Sequence, residues 1–300
     1  MLFHRQRCLI TVLSCFCLIL VMTGCVQPLS TTATLVLSPT VSATIPPTLT
    51  PEPSPTATAT VCTEITGKVA DYAVPSKLLS TPVNLKVYTP PCYSQNASTR
   101  YPVLFMLHGQ TYSNDQWVRL GLTTTADKLI SAKEIFPLII VMPEEVSSTS
   151  DPNQSKFGEA MISEVLPWVD QNFSACESRD CRAIGGLSRG GNWAVRLGFS
   201  NPRLFAAIGA HSTPLFYGDI TRIDGWVKQV ESVAELPVVY IDLGKSDDER
   251  DAIRSFESEL SRLGVAHEFY QFKGYHDEPY WSAHVEEYLR WYAAHLTAAE

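Results

Sequence analysis

One short stretch constrains the fold of this chain more than any other. An apolar run ending at Leu187 passes through Gly186-Leu-Ser-Arg-Gly190 into a segment with helical spacing. A serine between glycines at that junction is the pattern of a sharp strand-to-helix turn, a nucleophile elbow. The serine takes strained backbone angles there, and glycines two positions either side leave no Cβ to crowd it. Ser188 then projects its hydroxyl from the end of a strand. The backbone N–H of Arg189, at a helix N-terminus where amide donors are unpaired, faces the same space and can hold an oxyanion.

The rest of the chain supplies a sheet for that turn. Lys68–Val74 and Val83–Tyr88 alternate polar and apolar positions, as half-buried antiparallel strands do. Tyr101–Leu107 is a continuous apolar run, the pattern of a strand covered on both faces. Thr123–Ala132 reads as a helix, Pro137–Met142 as a strand and Phe157–Phe173 as a helix despite Pro167. Beyond the elbow, Leu204–Ala210 and Pro237–Leu243 read as strands. Ile253, Phe256, Leu260 and Leu263 recur at helical spacing, His267–Phe272 is a last strand, and Trp281, Val285, Tyr288 and Tyr292 form the buried stripe of a closing helix. Strands alternating with helices predict an α/β domain over residues 62–300, with a mostly parallel central sheet and helices on both faces.

A serine hydroxyl is a weak nucleophile, so a histidine must take its proton and a carboxylate must orient that histidine. Asp247 follows a strand in Gly244-Lys-Ser-Asp247, and His276 follows the last strand in Gly274-Tyr-His276. The order Ser188, Asp247, His276, each in a loop after a predicted strand, is that of the α/β-hydrolase triad. Asp248, one step on, remains a rival acid. Among the other histidines, His211 follows the strand after the elbow, but no acid follows it at a suitable strand end, and Asp242 lies inside a predicted strand. The turn His108-Gly109-Gln110 aims the Gln110 N–H at the same oxyanion as Arg189, with His108 fixing the loop. Trp117 reads as a substrate wall or as a lid over the core. With Trp193, Tyr275, Tyr280 and Trp281 it offers aromatic surface near the site.

Leu107-His-Gly109, Gly186-Leu-Ser-Arg-Gly-Gly191, Asn201-Pro-Arg-Leu-Phe205, Gly244-Lys-Ser-Asp247 and Gly274-Tyr-His276 stand in the order of one family's landmarks. Over residues 64–297 the chain resembles the putative-esterase family of α/β-hydrolases, which includes feruloyl esterases, S-formylglutathione hydrolase, enterochelin esterases and mycolyltransferases. The resemblance implies the α/β-hydrolase fold and ester hydrolysis without cofactor or metal, with the triad on Ser188, Asp247 and His276. Arg189 stands where the family commonly has methionine, and Gln110 where it has a small residue. The implied substrate is a small-molecule or polysaccharide-linked ester, such as a feruloyl or acetyl ester. Acyl transfer of the mycolyltransferase type and a catalytically silent surface-binding protein are the competing readings.

The N-terminal part carries an address rather than a fold. Arg5 and Arg7 precede the apolar run Cys8–Met22, and Met22-Thr-Gly-Cys25 resembles a bacterial lipobox. Residues 1–24 are expected to be a lipoprotein signal peptide and Cys25 the lipidated first residue, which places the domain outside the cytoplasm, anchored to the cell membrane. Residues 25–61 are rich in Thr, Pro and Ser and form a tether with no core-building pattern. Losing Arg5 and Arg7 lowers Lys+Arg from 23 to 21 against 31 Asp+Glu, a formal charge of −10 that argues against nucleic acid as a partner. Cys62, Cys92, Cys176 and Cys181 lie beyond the tether. An exported domain uses such an even set for disulfides. Hairpin geometry pairs Cys62 with Cys92, and a short loop pairs Cys176 with Cys181. Replacing Cys25 by serine should move the protein from the membrane to the soluble fraction. Unchanged retention would make the apolar segment itself the anchor.

Overall fold

A computed structural model of the chain describes residues 63–94 and 98–298. Eight strands form one sheet: β1 Lys68–Val74, β2 Val83–Thr89, β3 Val103–Leu107, β4 Ile139–Pro143, β5 Arg182–Leu187, β6 Ala207–His211, β7 Val238–Gly244 and β8 His267–Phe272. Their spatial order is β1-β2-β4-β3-β5-β6-β7-β8. β1 pairs antiparallel with β2, and β2 antiparallel with β4. All remaining pairs are parallel. The helices are α1 Gln116–Arg119, α2 Leu122–Ser131, α3 Phe157–Ala160, α4 Leu166–Asn172, α5 Arg189–Ser200, α6 Asp219–Val227, α7 Arg250–Leu263 and α8 Glu278–Ala294. This is the α/β-hydrolase architecture that the sequence leads one to expect.

The two-residue period of the strands divides the core into two layers. From β3, Val103, Phe105 and Leu107 point to the layer shared with α3, α4, α5, α6 and α7. Leu104 and Met106 point to the other, shared with α1, α2 and α8. All five β3 residues are buried, as they must be with helices on both faces. Because β3, β5, β6, β7 and β8 run parallel, the loops leaving them emerge along one sheet edge. Such an edge is where open α/β sheets bind ligands.

Three local readings of the sequence need correction, whereas the helical reading across Pro167 holds. β1 is the edge strand, and with only Val74 buried among its seven residues it is not half-buried as its alternation suggests. The strand expected from Leu204 begins at Ala207, since Leu204 closes a turn back to Asn201. Tyr101 makes only an isolated bridge to Ala175, so that strand begins at Val103. Pro167 is accommodated by a widened π turn over Met161–Val165, where the Leu166 N–H reaches back to the Met161 carbonyl. A regular α turn would drive the proline ring against the carbonyl four residues earlier. Helix α6 was not anticipated, although Ile220, Ile223 and Val227 stand at helical spacing.

Cys176 and Cys181 form a disulfide five residues apart, closing the loop before β5. Cys25 and Cys62 lie outside the described residues, as do both N-terminal segments. Cys92 sits beside the start of the domain, its backbone N–H donating to the Glu64 carboxylate at 3.1 Å. Among the described residues no helix is long and apolar enough to cross a membrane. Replacing both Cys176 and Cys181 by alanine should lower unfolding free energy in urea by about 2 kcal/mol, the loop-closure value for so short a bridge. An unchanged urea midpoint would show that the bridge adds no stability.

Candidate active site

The elbow has the geometry its sequence requires. Ser188 joins β5 to α5 with φ 50° and ψ −118°, a region that costs a non-glycine residue of the order of 1–3 kcal/mol. Its N–H donates to the His211 carbonyl at 2.8 Å, which holds the turn against β6. The first turn of α5 lies directly against the end of β3. A Cβ on Gly190 would stand 2.2 Å from the Leu107 carbonyl oxygen, and one on Gly186 would stand 2.4 Å from the Gly190 carbonyl carbon. Neither overlap is tolerable, so glycine is obligatory at both places.

The loop after β3 is fixed by buried polar groups. His108 is buried, and its Nε2 accepts the Glu145 N–H at 2.9 Å. Burial pushes its pKa below the ordinary 6.5, keeping the ring neutral. A neutral ring accepting at Nε2 carries its proton on Nδ1, which donates to the Gly109 carbonyl at 2.8 Å. The Gly109 N–H in turn donates to Gln116 Oε1 at 2.8 Å. Among the described residues no protein acceptor takes the N–H of Gln110 or of Arg189.

Arg189 is anchored from its side chain as well. Its Nε and Nη2 donate to the two oxygens of Glu145 at 2.8 and 2.6 Å, and Nη2 also donates to the Ser150 carbonyl. Its guanidinium lies 5.3 Å from the centre of the Phe216 ring. Both members of the ion pair are buried, so they tie the segment after β4 to the elbow helix where water does not compete. Sequence reasoning missed Gln116 and Glu145, because a loop glutamine and a loop glutamate carry no spacing signal.

Asp247 and His276 meet at the same edge. His276 Nδ1 lies 3.0 and 3.1 Å from the two oxygens of Asp247, to which it donates. The Glu249 N–H donates to Asp247 Oδ1 at 2.8 Å, fixing a carboxylate that is fully buried. Asp248 is exposed. Bonding through Nδ1 leaves His276 Nε2 as the nitrogen available to a hydroxyl. Among the described residues no hydrogen bond joins Ser188 Oγ to His276. His276 is thus hydrogen-bonded to Asp247 and not to Ser188.

The aromatic residues proposed to meet substrate divide sharply. Trp117 is 1 % exposed, and its Nε1 donates to the Leu107 carbonyl at 2.9 Å. Trp193 is 2 % exposed and packs edge-on against Phe157 and Phe216. Trp281 is buried with its ring perpendicular to His276, centroids 5.1 Å apart, and Tyr280 is buried too. All four are buried, so they pack as core or supporting residues rather than as an exposed substrate wall. Tyr275 differs, being 63 % exposed next to His276. Among the described residues no three His, Cys, Asp or Glu side chains converge as a metal site requires.

A family model described as "Putative esterase" matches residues 76–296. An endo-1,4-beta-xylanase/feruloyl esterase of Xylanibacter ruminicola is 27% identical over 202 residues, covering 61% of this chain and 27% of that protein. An esterase of Mycobacterium tuberculosis is 30% identical over 160 residues, covering 51% of this chain and 34% of the other. The chain thus spans about a third or less of the length of these curated relatives. A solved ferulic acid esterase superposes with a TM-score of 0.68 at 25% identity, covering 77% of this chain and 98% of that one.

Glu145→Ala would leave the Arg189 guanidinium buried without its counter-charge. Chemical denaturation should show a loss of about 3–5 kcal/mol. A loss below about 1 kcal/mol, the range of solvent-screened pairs, would mean that the pair does not hold this edge together.

Proposed function

The chain belongs to the putative-esterase family, and from that premise we propose that it is a serine carboxylic ester hydrolase working through an acyl-enzyme. The observation that carries this reading is the Asp247 carboxylate set 3.0 Å from His276 Nδ1, at the sheet edge where the elbow presents Ser188. In the proposed cycle, His276 Nε2 takes the Ser188 hydroxyl proton as Oγ attacks the ester carbonyl carbon. Asp247 orients the ring and stabilises its cation. The negative charge on the former carbonyl oxygen is held by the N–H groups of Gln110 and Arg189, dipoles fixed before the reaction begins. The tetrahedral intermediate expels the alcohol, which leaves with the proton from His276. Water then repeats the sequence on the acyl-serine, releasing the acid and restoring the hydroxyl.

A feruloyl or acetyl ester carried by a polysaccharide is the proposed substrate. Support comes from the names of the relatives, one of which joins a feruloyl esterase to a xylanase. Tyr275 is the one proposed aromatic contact that keeps an open ring beside His276. The setting proposed for this chemistry is extracytoplasmic, with the domain tethered to the membrane through a lipid on Cys25. That reading rests on the lipobox-like sequence and the Thr/Pro/Ser-rich segment behind it.

The test is turnover of a panel of ester substrates with product analysis, combined with fluorophosphonate labelling. Ser188→Ala should abolish labelling and reduce turnover by about 10⁶, and His276→Ala by a similar factor, because the two act as one unit. Asp247→Asn should cost about 10⁴ by leaving the wrong imidazole tautomer, while Asp248→Asn stays near wild type. Wild-type turnover in Ser188→Ala would overturn the mechanism. Damage from Asp248→Asn with a mild Asp247→Asn would move the acid by one residue.

A further inference from the structure

A second histidine–carboxylate pair lies behind the first, in the layer between the sheet and α8. His211 ends β6, and Asp242 stands opposite it on β7. Both are fully buried. The register between strands makes them partners, which explains why the sequence alone left His211 without an acid. His211 Nδ1 donates to Asp242 Oδ1 at 2.8 Å. Asp242 Oδ2 accepts two further hydrogen bonds, from Tyr280 Oη at 2.6 Å and Tyr288 Oη at 2.7 Å. Burial, reinforced by the Asp242 charge, pushes both phenols well above their ordinary value of 10, so each remains a donor. A carboxylate inside a central strand is costly to bury, and here three donors from two elements, β6 and α8, converge to satisfy it.

Those donors lead to both halves of the proposed proton transfer. The His211 backbone carbonyl accepts the Ser188 N–H at 2.8 Å, and the Ser212 N–H donates to the Asp242 carbonyl at 2.9 Å. On the other side, Tyr280 lies in the first turn of α8, where the Asp277 side chain caps its N–H at 3.1 Å. Its ring packs so closely on Gly274 that a Cβ there would stand 2.5 Å from Tyr280 Cδ2. The next residue is Trp281, whose ring abuts the His276 imidazole. His276 therefore sits in a turn clamped at Gly274 by Tyr280 and braced by Trp281. The Tyr280 hydroxyl ties that clamp to Asp242.

We propose that Asp242 is a positioning residue for the ester-hydrolysing site: through His211 it fixes the backbone of the nucleophile, and through Tyr280 it fixes the turn that carries the general base. The proposal rests on the reading of Ser188 and His276 given above. Tyr288 provides the internal comparison, because its hydroxyl reaches the same carboxylate oxygen from two turns further along α8. Among the described residues no hydrogen bond or ring contact joins it to the His276 turn, and its ring stacks on His211, a contact that phenylalanine keeps.

The experiment compares Tyr280→Phe, Tyr288→Phe and Asp242→Asn in the full-length chain. It measures kcat and KM for 4-nitrophenyl acetate, the rate of Ser188 labelling by a fluorophosphonate, and Tm. Tyr280→Phe should lower kcat and the labelling rate by about 10- to 100-fold, the scale of a small misplacement of reacting groups. KM should stay within about twofold, since substrate contacts are untouched. Tyr288→Phe should lower Tm by a similar amount while holding kcat within about twofold of wild type. Asp242→Asn should match or exceed the kcat loss of Tyr280→Phe. If both phenylalanine variants keep wild-type kcat, or lose it equally, Asp242 serves only to stabilise the fold and the proposal is overturned, even should Asp242→Asn fail to fold. A wild-type chain that neither hydrolyses the ester nor labels at Ser188 overturns the esterase reading itself, and this proposal with it.

Discussion

Everything at the functional edge depends on how closely α5 approaches the end of β3. The approach is possible only because Gly186 and Gly190 lack Cβ atoms, which would overlap backbone atoms of Gly190 and Leu107. The same turn holds Ser188 at positive φ and leaves the Arg189 N–H unpaired at the start of the helix. Local strain, close packing and a free donor are one geometric event. Strain of this size persists only where the surroundings over-determine it. Here the Ser188 N–H bonded to His211 and the Arg189 side chain bonded to Glu145 supply that constraint.

Buried polar groups recur around this turn, and each spans separate elements. Glu145 joins the segment after β4 to α5, while its own N–H fixes His108 after β3. Asp242 joins β6, β7 and α8. Apolar residues could fill the same volumes with less desolvation cost, since a buried charge is weak evidence for stability. What hydrogen bonds add is direction. They fix the angle at which a loop leaves a strand, and the roles proposed for the two amides and the imidazole need that control to within about an ångström.

Much of this was legible in the residues. The apolar runs that became β3, β4, β5 and β7 have no polar alternation because helices cover both faces, and that pattern alone gives a parallel sheet. Ser188, Asp247 and His276 were readable because each follows such a run, and parallel strands deliver their following loops to one edge. Asp247 separated from Asp248 only in three dimensions, where one carboxylate is buried against His276 and the other faces solvent. The tryptophans misled for a related reason. Trp117, Trp193 and Trp281 are near the site in sequence, but their indole rings fill the layers beneath it. The His211–Asp242 pair was invisible because its partners meet through strand register, which no local pattern encodes.

The central proposal is that the elbow presents Ser188 to the backbone amides of Gln110 and Arg189, which would hold a developing oxyanion. A crystal structure of the adduct with a small alkyl fluorophosphonate tests it most directly. The account predicts phosphorus bonded to Ser188 Oγ and one phosphoryl oxygen about 2.7–3.1 Å from the backbone nitrogens of both Gln110 and Arg189. A phosphoryl oxygen turned to solvent or to other donors, or phosphorus on any other residue, would contradict it.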